Sequence, residues 1–284
     1  MYALNTVNLI GHLTENPEVR QIGNGTSVVD LNIKTIEKIT KEDGSEIILS
    51  AFHTVTVWRR MAEIVGDYCR AGSQIFIKGR LKTDSWEDDA GRKKYKTKII
   101  ADDVILLDSR KEITPVAENS PIGGGLNEAE VLGNLTKKPE LRQTASGQFV
   151  ANFSVATNRK WTDRNTSEQK EETEFHNGVA WGALAQEMAE KMNTGQKVFV
   201  RGRVQTRSWD TPDGEKRYTT EIIAEKVVAC GAKNPEFSGE NPAPAASQNP
   251  APKSPAENPA ATEKEPDLPT IQYESDIKPE DLPF

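Results

Sequence analysis

Gly72-Ser73-Gln74-Ile75-Phe76-Ile77-Lys78-Gly79-Arg80-Leu81 returns later in the chain as Gly195-Gln196-Lys197-Val198-Phe199-Val200-Arg201-Gly202-Arg203-Val204. In both runs small apolar residues alternate with aromatic and basic ones, the period of a β-strand with one buried face. The glycine opening each run closes a short helical stretch, marked by Met61, Val65 and Tyr68 in one copy and by Leu184, Met188 and Met192 in the other. Outward from this stretch the likeness continues. Gly11, Pro17, Arg20, Gln21 and Gly25 recur 122 residues later as Gly133, Pro139, Arg142, Gln143 and Gly147. From Phe52-His53 through Trp58, Ser85-Trp86 and Tyr95 to Ile99-Ile100-Ala101 the offset is 123. The single insertion falls between residues 41 and 51, beside Asp43-Gly44, where a hairpin loop absorbs it.

Val29, Leu31 and Ile33 alternate with Asp30, Asn32 and Lys34, and Asn24-Gly25, Asp43-Gly44, Ala90-Gly91 and Asp213-Gly214 supply turns. Three strands, a short helix and two further strands match the order of a five-stranded Greek-key OB barrel. A generic small β-barrel is the blander alternative. The fold expected is therefore all-β: two tandem OB-fold five-stranded barrels, each with one short helix, over residues 1–107 and 128–231. Between them, 108–127 carries Pro115, Pro121 and Gly123-Gly124-Gly125, the composition of a linker. Residues 232–273, rich in Pro, Ala and Asn, form a disordered tail too poor in apolar side chains to fold. The last segment, 274–284, is an acidic tip.

A net charge of −7 argues at first against a nucleic-acid partner, because phosphate binding needs Lys and Arg. Residues 1–231 are nearly neutral at −1, however, and 232–284 carry −6, so local clustering decides what the folded part binds. Two cysteines, Cys69 and Cys230, and no apolar leader segment predict a reduced, unglycosylated cytoplasmic protein. No window is apolar enough to span a bilayer.

Strand alternation shows what stands opposite the core. Val55 and Val57 share one face with His53, leaving Phe52, Thr54, Thr56 and Trp58 on the other. In the next strand Phe76, Lys78, Arg80, Lys82 and Trp86 point outward, and the second copy repeats this with Phe199, Arg201, Arg203, Arg207 and Trp209. Aromatic and basic residues interleave on one face, as sequence-tolerant single-strand binding requires: cations follow phosphates, and every base offers a π-face. Trp86 and Trp209 lie in charged hairpins with no core to join. The alternatives for them are an incidental surface position or a hairpin-stiffening pair with Tyr95 or Tyr218. Trp58 and Trp181, with Phe52 and Phe175, are binding candidates that can also close the barrel end. Phe76 and Phe199 read as packing residues. Trp161, after Asn158-Arg159-Lys160, reads as exposed in a basic loop, and its counterpart is Ile39, so the two barrels are expected to bind unequally.

His12, His53 and His176 lack partners at metal-ligand spacing and are expected to pack or to line an interface. Gly23-x-Gly25 has no later glycine to make a dinucleotide loop, there is no phosphate loop, and no nucleophile and base pair stands out. No enzyme activity, metal or cofactor is expected.

Leu9-Ile10-Gly11-His12-Leu13 with Pro17-Glu18-Val19-Arg20, Phe175-His176 before Trp181-Gly182, Gly72 to Gly79, and Arg207-Ser208-Trp209 leading to Arg217-Tyr218-Thr219-Thr220-Glu221 resemble the bacterial single-stranded DNA-binding proteins. Asp281-Leu282-Pro283-Phe284 resembles that family's acidic tip. The resemblance implies a coat for single-stranded DNA in replication, recombination and repair. It places the stacking aromatics at Phe52, Trp58 and Trp86 and at Trp161, Phe175, Trp181 and Trp209, and makes Asp281 to Phe284 a docking peptide for replication, recombination and repair proteins. Doubling of the barrel is similar to the members that assemble as homodimers, and a nucleoid-associated location follows. An RNA-binding OB protein and a protein-interaction hub are the competing readings.

Overall fold

The first strand, β1 (Leu4–Leu13), buries Val7 and Leu9 and turns Asn8 and Ile10 outward. A three-residue strand, β2 (Arg20–Ile22), doubles back on the start of β3 (Thr26–Thr40) through a turn in which Gly23 and Gly25 take φ of +52° and +83°. One unbroken ladder then joins β3 to β4 (Glu46–Trp58). Helix α1 (Arg59–Tyr68) buries Ala62 and Val65, and β5 (Gln74–Glu87) and β6 (Lys93–Leu106) form a hairpin with a bulge at Lys78/Gly79. Strand β6 pairs in parallel with β4 at Val55↔Ile99, β5 pairs with β1, and β1 closes on β3 at His12↔Lys34. A closed barrel results, with no free edge around its waist. The second copy repeats it with β7 (Leu126–Leu135), β8 (Glu140–Gln143), β9 (Phe149–Thr162), β10 (Gln169–Trp181), α2 (Gly182–Lys191), β11 (Lys197–Asp210) and β12 (Lys216–Cys230). Five long strands per copy match the sequence expectation; β2 and β8 are short additions to it.

The chain is seen here as a computed structural model that describes residues 4–23, 25–40, 44–87, 91, 93–108, 124–162, 166–210 and 216–231, with the backbone alone at Ile39, Trp209, Asp210, Lys216 and Arg217. The expected linker, apart from its two ends, and the whole expected tail with its tip lie outside the described residues.

The barrels meet through the part of β1 that β3 leaves free. There β1 pairs antiparallel with β7 from Leu4↔Leu132 to Ile10↔Leu126, and the central pair, Val7↔Ala129, joins two residues that are equivalent in the repeat. The contact is therefore isologous, as in a two-fold dimer, although one chain makes it. The same symmetry runs through the hydrogen bonds. Asn5 Nδ2 donates to the Leu81 carbonyl at 2.8 Å and its Oδ1 accepts from the Leu81 N–H at 3.0 Å; Asn127 does both with Val204 at 2.9 Å.

Candidate nucleic-acid interface

Register decides which side chains share the outer face of the first barrel. Across β3 and β4, Lys34 lies opposite Phe52, Asn32 opposite Thr54, Asp30 opposite Thr56 and Val28 opposite Trp58. The Phe52 ring is 60% exposed, with the Lys34 ammonium 5.7 Å from its centroid. Trp58 is half-buried at the end of the strand. Between them the surface is tied down: Thr54 donates to Asn32 at 3.4 Å, and Thr56 and Arg20 both donate to Asp30 at 2.6 Å. Partial burial pushes the Asp30 carboxyl up, but these bonds and the charges of Arg20 and Lys98 hold it below the ordinary range. Lys98, on β6, is thus close enough to be felt at the β3–β4 face.

On the β5–β6 hairpin Trp86 is 49% exposed and stands opposite Lys94, whereas Tyr95 stands opposite Ser85 on the other face. In the second hairpin Trp209 is opposite Arg217 and Tyr218 opposite Ser208. The register therefore rules out a direct tryptophan–tyrosine pair in either hairpin. The Trp209 side chain lies outside the described residues.

In the second barrel Phe175, half-buried, stands opposite Ala156 rather than a lysine, and Trp181 closes β10 as Trp58 closes β4. Trp161 lies not in a loop but near the end of β9, paired with Lys170 of β10 because the β9–β10 ladder runs on past the barrel; it is exposed, with the Arg159 guanidinium 5.3 Å from its ring. The corresponding residues of the first barrel are Glu37 and Ile39, so the copies differ in charge as well as in aromatic content.

Five of the six cations singled out from the sequence are engaged within the chain. Arg80 is bonded to Asp102, Arg201 is 3.8 Å from Glu128, and Arg203, largely buried, is 3.9 Å from Glu225. Arg207 makes a two-pronged contact with Glu221 at 2.9 and 3.0 Å, at the position where the first copy has Lys98 on Asp84 at 2.7 Å with the charges exchanged. Lys82 reaches into the other barrel, to Glu172 at 2.6 Å, beside Glu174, which accepts from the Thr83 N–H at 3.1 Å. On the opposite side of the seam Glu37 accepts from the Asn127 N–H at 2.9 Å. Burial raises both Glu37 and Glu174 above the usual carboxylate range. Lys78 is exposed on the outer face.

Alternation turned Lys34 outward but did not set it over Phe52, nor Arg159 over Trp161, nor bring Lys98 to the face. The signal for Lys34 was present: a β3–β4 hairpin centred on Asp43 puts residue 34 opposite 52. Phe76 and Phe199 prove half-buried, on the outer face of the sheet that joins the barrels. Among the described residues no group of three or more His, Cys, Asp or Glu gathers in a way that holds a metal. No described helix is long and apolar enough to cross a membrane.

The sequence model described as the single-strand binding protein family matches residues 4–107 and 126–230. A single-stranded DNA-binding protein of Thermus aquaticus is 35% identical over 223 residues, 78% of this chain and 82% of the relative. One of Deinococcus radiodurans is 31% identical over 235 residues, 81% and 77% of the two chains. The crystal structure of the wild-type single-stranded DNA binding protein from Thermus aquaticus superposes with a TM-score of 0.64 at 29% identity, covering 82% of this chain and 95% of that one.

Proposed function

The chain belongs to the single-strand binding protein family, and from that membership we propose that it binds single-stranded DNA without sequence preference, as a non-enzymatic coat in replication, recombination and repair. The observation that carries the reading is the exposure of Phe52, capped by Lys34, in a barrel whose other large apolar side chains mostly turn inward. A ring held in water beside a cation is a platform for a base with a phosphate next to it. Phe52, Trp58, Trp86, Trp161, Phe175, Trp181 and Trp209 are the proposed stacking residues. Lys78, Arg80, Lys82, Arg201, Arg203 and Arg207 remain proposed phosphate contacts, and five of them must exchange an internal carboxylate for a phosphate to act. Titration with oligo(dT) is expected to quench the tryptophan emission, and duplex DNA is not. Phe52→Ala and Trp86→Ala should each weaken oligo(dT) binding by about 1–3 kcal/mol with little change in Tm, because both rings are largely outside the core. Equal quenching by duplex would sink the stacking reading, and tighter binding of oligo(U) would favour the RNA alternative.

The proposed particle is a homodimer with four barrels. Its support is a pair of apolar rows on the outer face of the sheet that joins the barrels. One row runs Ile105, Phe76, Ile10, Leu126 across four strands, and its repeat-related mate runs Val228, Phe199, Leu132, Leu4. Ile105 is 50% and Val228 40% exposed, a face that water does not favour. Phe76→Glu with Phe199→Glu is expected to turn a dimer in sedimentation equilibrium into a folded monomer. A wild-type monomer at working concentration would end the proposal.

Asp281-Leu282-Pro283-Phe284, at the end of a Pro- and Ala-rich segment, is proposed to dock replication, recombination and repair proteins by a terminal apolar side chain set among acids, in a cytoplasmic, nucleoid-associated protein. Deleting these four residues should leave oligo(dT) affinity equal or slightly higher, since anions that compete with phosphate are lost, while abolishing recovery of partner enzymes from a native lysate. Recovery of the same partners by the truncated chain would reduce the tail to a solubilising appendage.

A further inference from the structure

The two copies part company at the residue that follows their equivalent tryptophans. After Trp181 comes Gly182, with φ +57°; after Trp58 comes Arg59, with φ +58°. A left-handed backbone is open to glycine and unfavourable for arginine, whose Cβ crowds the following carbonyl oxygen. The first barrel thus keeps a strained residue where its own sister copy carries the residue that relieves the strain. Such outliers persist where the surrounding structure imposes them, as the matching φ of Gly182 shows here, and they cluster at functional sites.

No internal bond accounts for the arginine. Its side chain is exposed, and among the described residues no ion pair or hydrogen bond holds it, whereas its neighbour Arg60 is bonded to Glu63 at 3.0 Å and Arg20 to Asp30 at 2.6 Å. It follows Trp58 directly in the chain, at the end of β4, and Phe52, capped by Lys34, lies further back on the same face of that strand as Trp58. The second barrel has neither cation: Ala156 faces Phe175, and Gly182 follows Trp181.

We propose that Arg59 is a phosphate-contacting residue peculiar to the first barrel, holding the phosphate next to a base stacked on Trp58. The proposal rests on the single-strand binding reading above. It makes the first barrel the more salt-sensitive of the two along this wall, since each phosphate neutralised releases counterions and steepens the fall of affinity with salt by about 0.7 in the log–log slope.

Arg59→Gly, Arg59→Lys and the unaltered full-length chain are to be compared by oligo(dT) titration across a salt series and by thermal melting. Arg59→Gly should melt no lower than the parent, bind about fivefold more weakly at 0.1 M salt and show a slope flatter by about 0.7. Arg59→Lys, which keeps the cation, should retain most of the slope. A slope and affinity for Arg59→Gly equal to the parent's overturn the proposal, as does an affinity loss that merely follows a fall in Tm. Failure of the parent chain itself to bind oligo(dT) would instead strike the functional reading.

Discussion

Between about pH 7 and pH 4 the folded chain is expected to lose on the order of 3 kcal/mol of stability for each of two buried histidines. His53 and His176 are 4% and 5% exposed, and burial pushes both imidazoles down from 6.5 to about 4. Each Nε2 lies against a threonine hydroxyl, Thr35 at 3.0 Å and Thr157 at 2.9 Å. The Thr35 hydroxyl also reaches the Ala51 carbonyl at 3.4 Å, and Thr157 the Glu174 carbonyl at 3.5 Å, so we assign the ring N–H as donor to the hydroxyl. Both rings are therefore neutral in the fold. In the unfolded chain they take up a proton near pH 6.5, so between pH 6.5 and 4 the unfolded state binds more protons and stability falls as pH falls. It is fully present above that window. Glu37 and Glu174, with raised pKa, act in the opposite sense and soften the lower end of the transition. Urea unfolding midpoints across the range test this, with imidazole titration by NMR as the site-specific check. A midpoint that stays flat from pH 7 to 4.5, or imidazoles that protonate in the fold near pH 6.5, would remove the argument.

Gly178→Val should cost about 3 kcal/mol or more, and Phe153→Leu should restore most of it. The two residues are cross-strand partners in the second barrel, Phe153 is 3% exposed, and a Cβ on Gly178 would overlap its ring. The first barrel fills the same place with Leu31 opposite Val55, both buried. A large residue facing none in one copy is thus exchanged for two of middle size in the other, which keeps the core volume. Phe153→Leu alone should cost roughly 1 kcal/mol for the space it leaves, and the double variant should come within about 1 kcal/mol of the parent, a strongly non-additive cycle. Additive losses in urea unfolding would mean that the two cores are not interchangeable at this position.

Much of the fold was legible because the chain states it twice. The period-two runs at Ile75–Leu81 and Val198–Val204 place β5 and β11, and the insertion near Asp43 locates a hairpin. The outer face of β4 was legible too, since alternation separates Phe52 and Trp58 from His53, Val55 and Val57 with no knowledge of neighbours. What alternation does not contain is the partner of each outward side chain. Lys82 finds Glu172, ninety residues away in the other barrel, and Arg207 and Asp84 find carboxylate and ammonium partners across their own hairpins. Five of the six cations that read as free in sequence are therefore paired in the fold, Lys78 being the exception among the described residues.

By itself the sequence determined the duplication, the strand period, the aromatic face and the separation of charge between residues 1–231 and 232–284, because each is carried by residues close in the chain or by direct repetition. Only the tertiary structure decided that β1 and β7 pair edge to edge at Val7↔Ala129, that Lys34 sits over Phe52, and that Arg59 takes a left-handed backbone where the other copy has glycine. The reason is physical: a strand's pattern specifies which face it buries, but either of its edges offers the same row of N–H and C=O groups to any partner, and the choice among partners is made by the packing of the whole barrel.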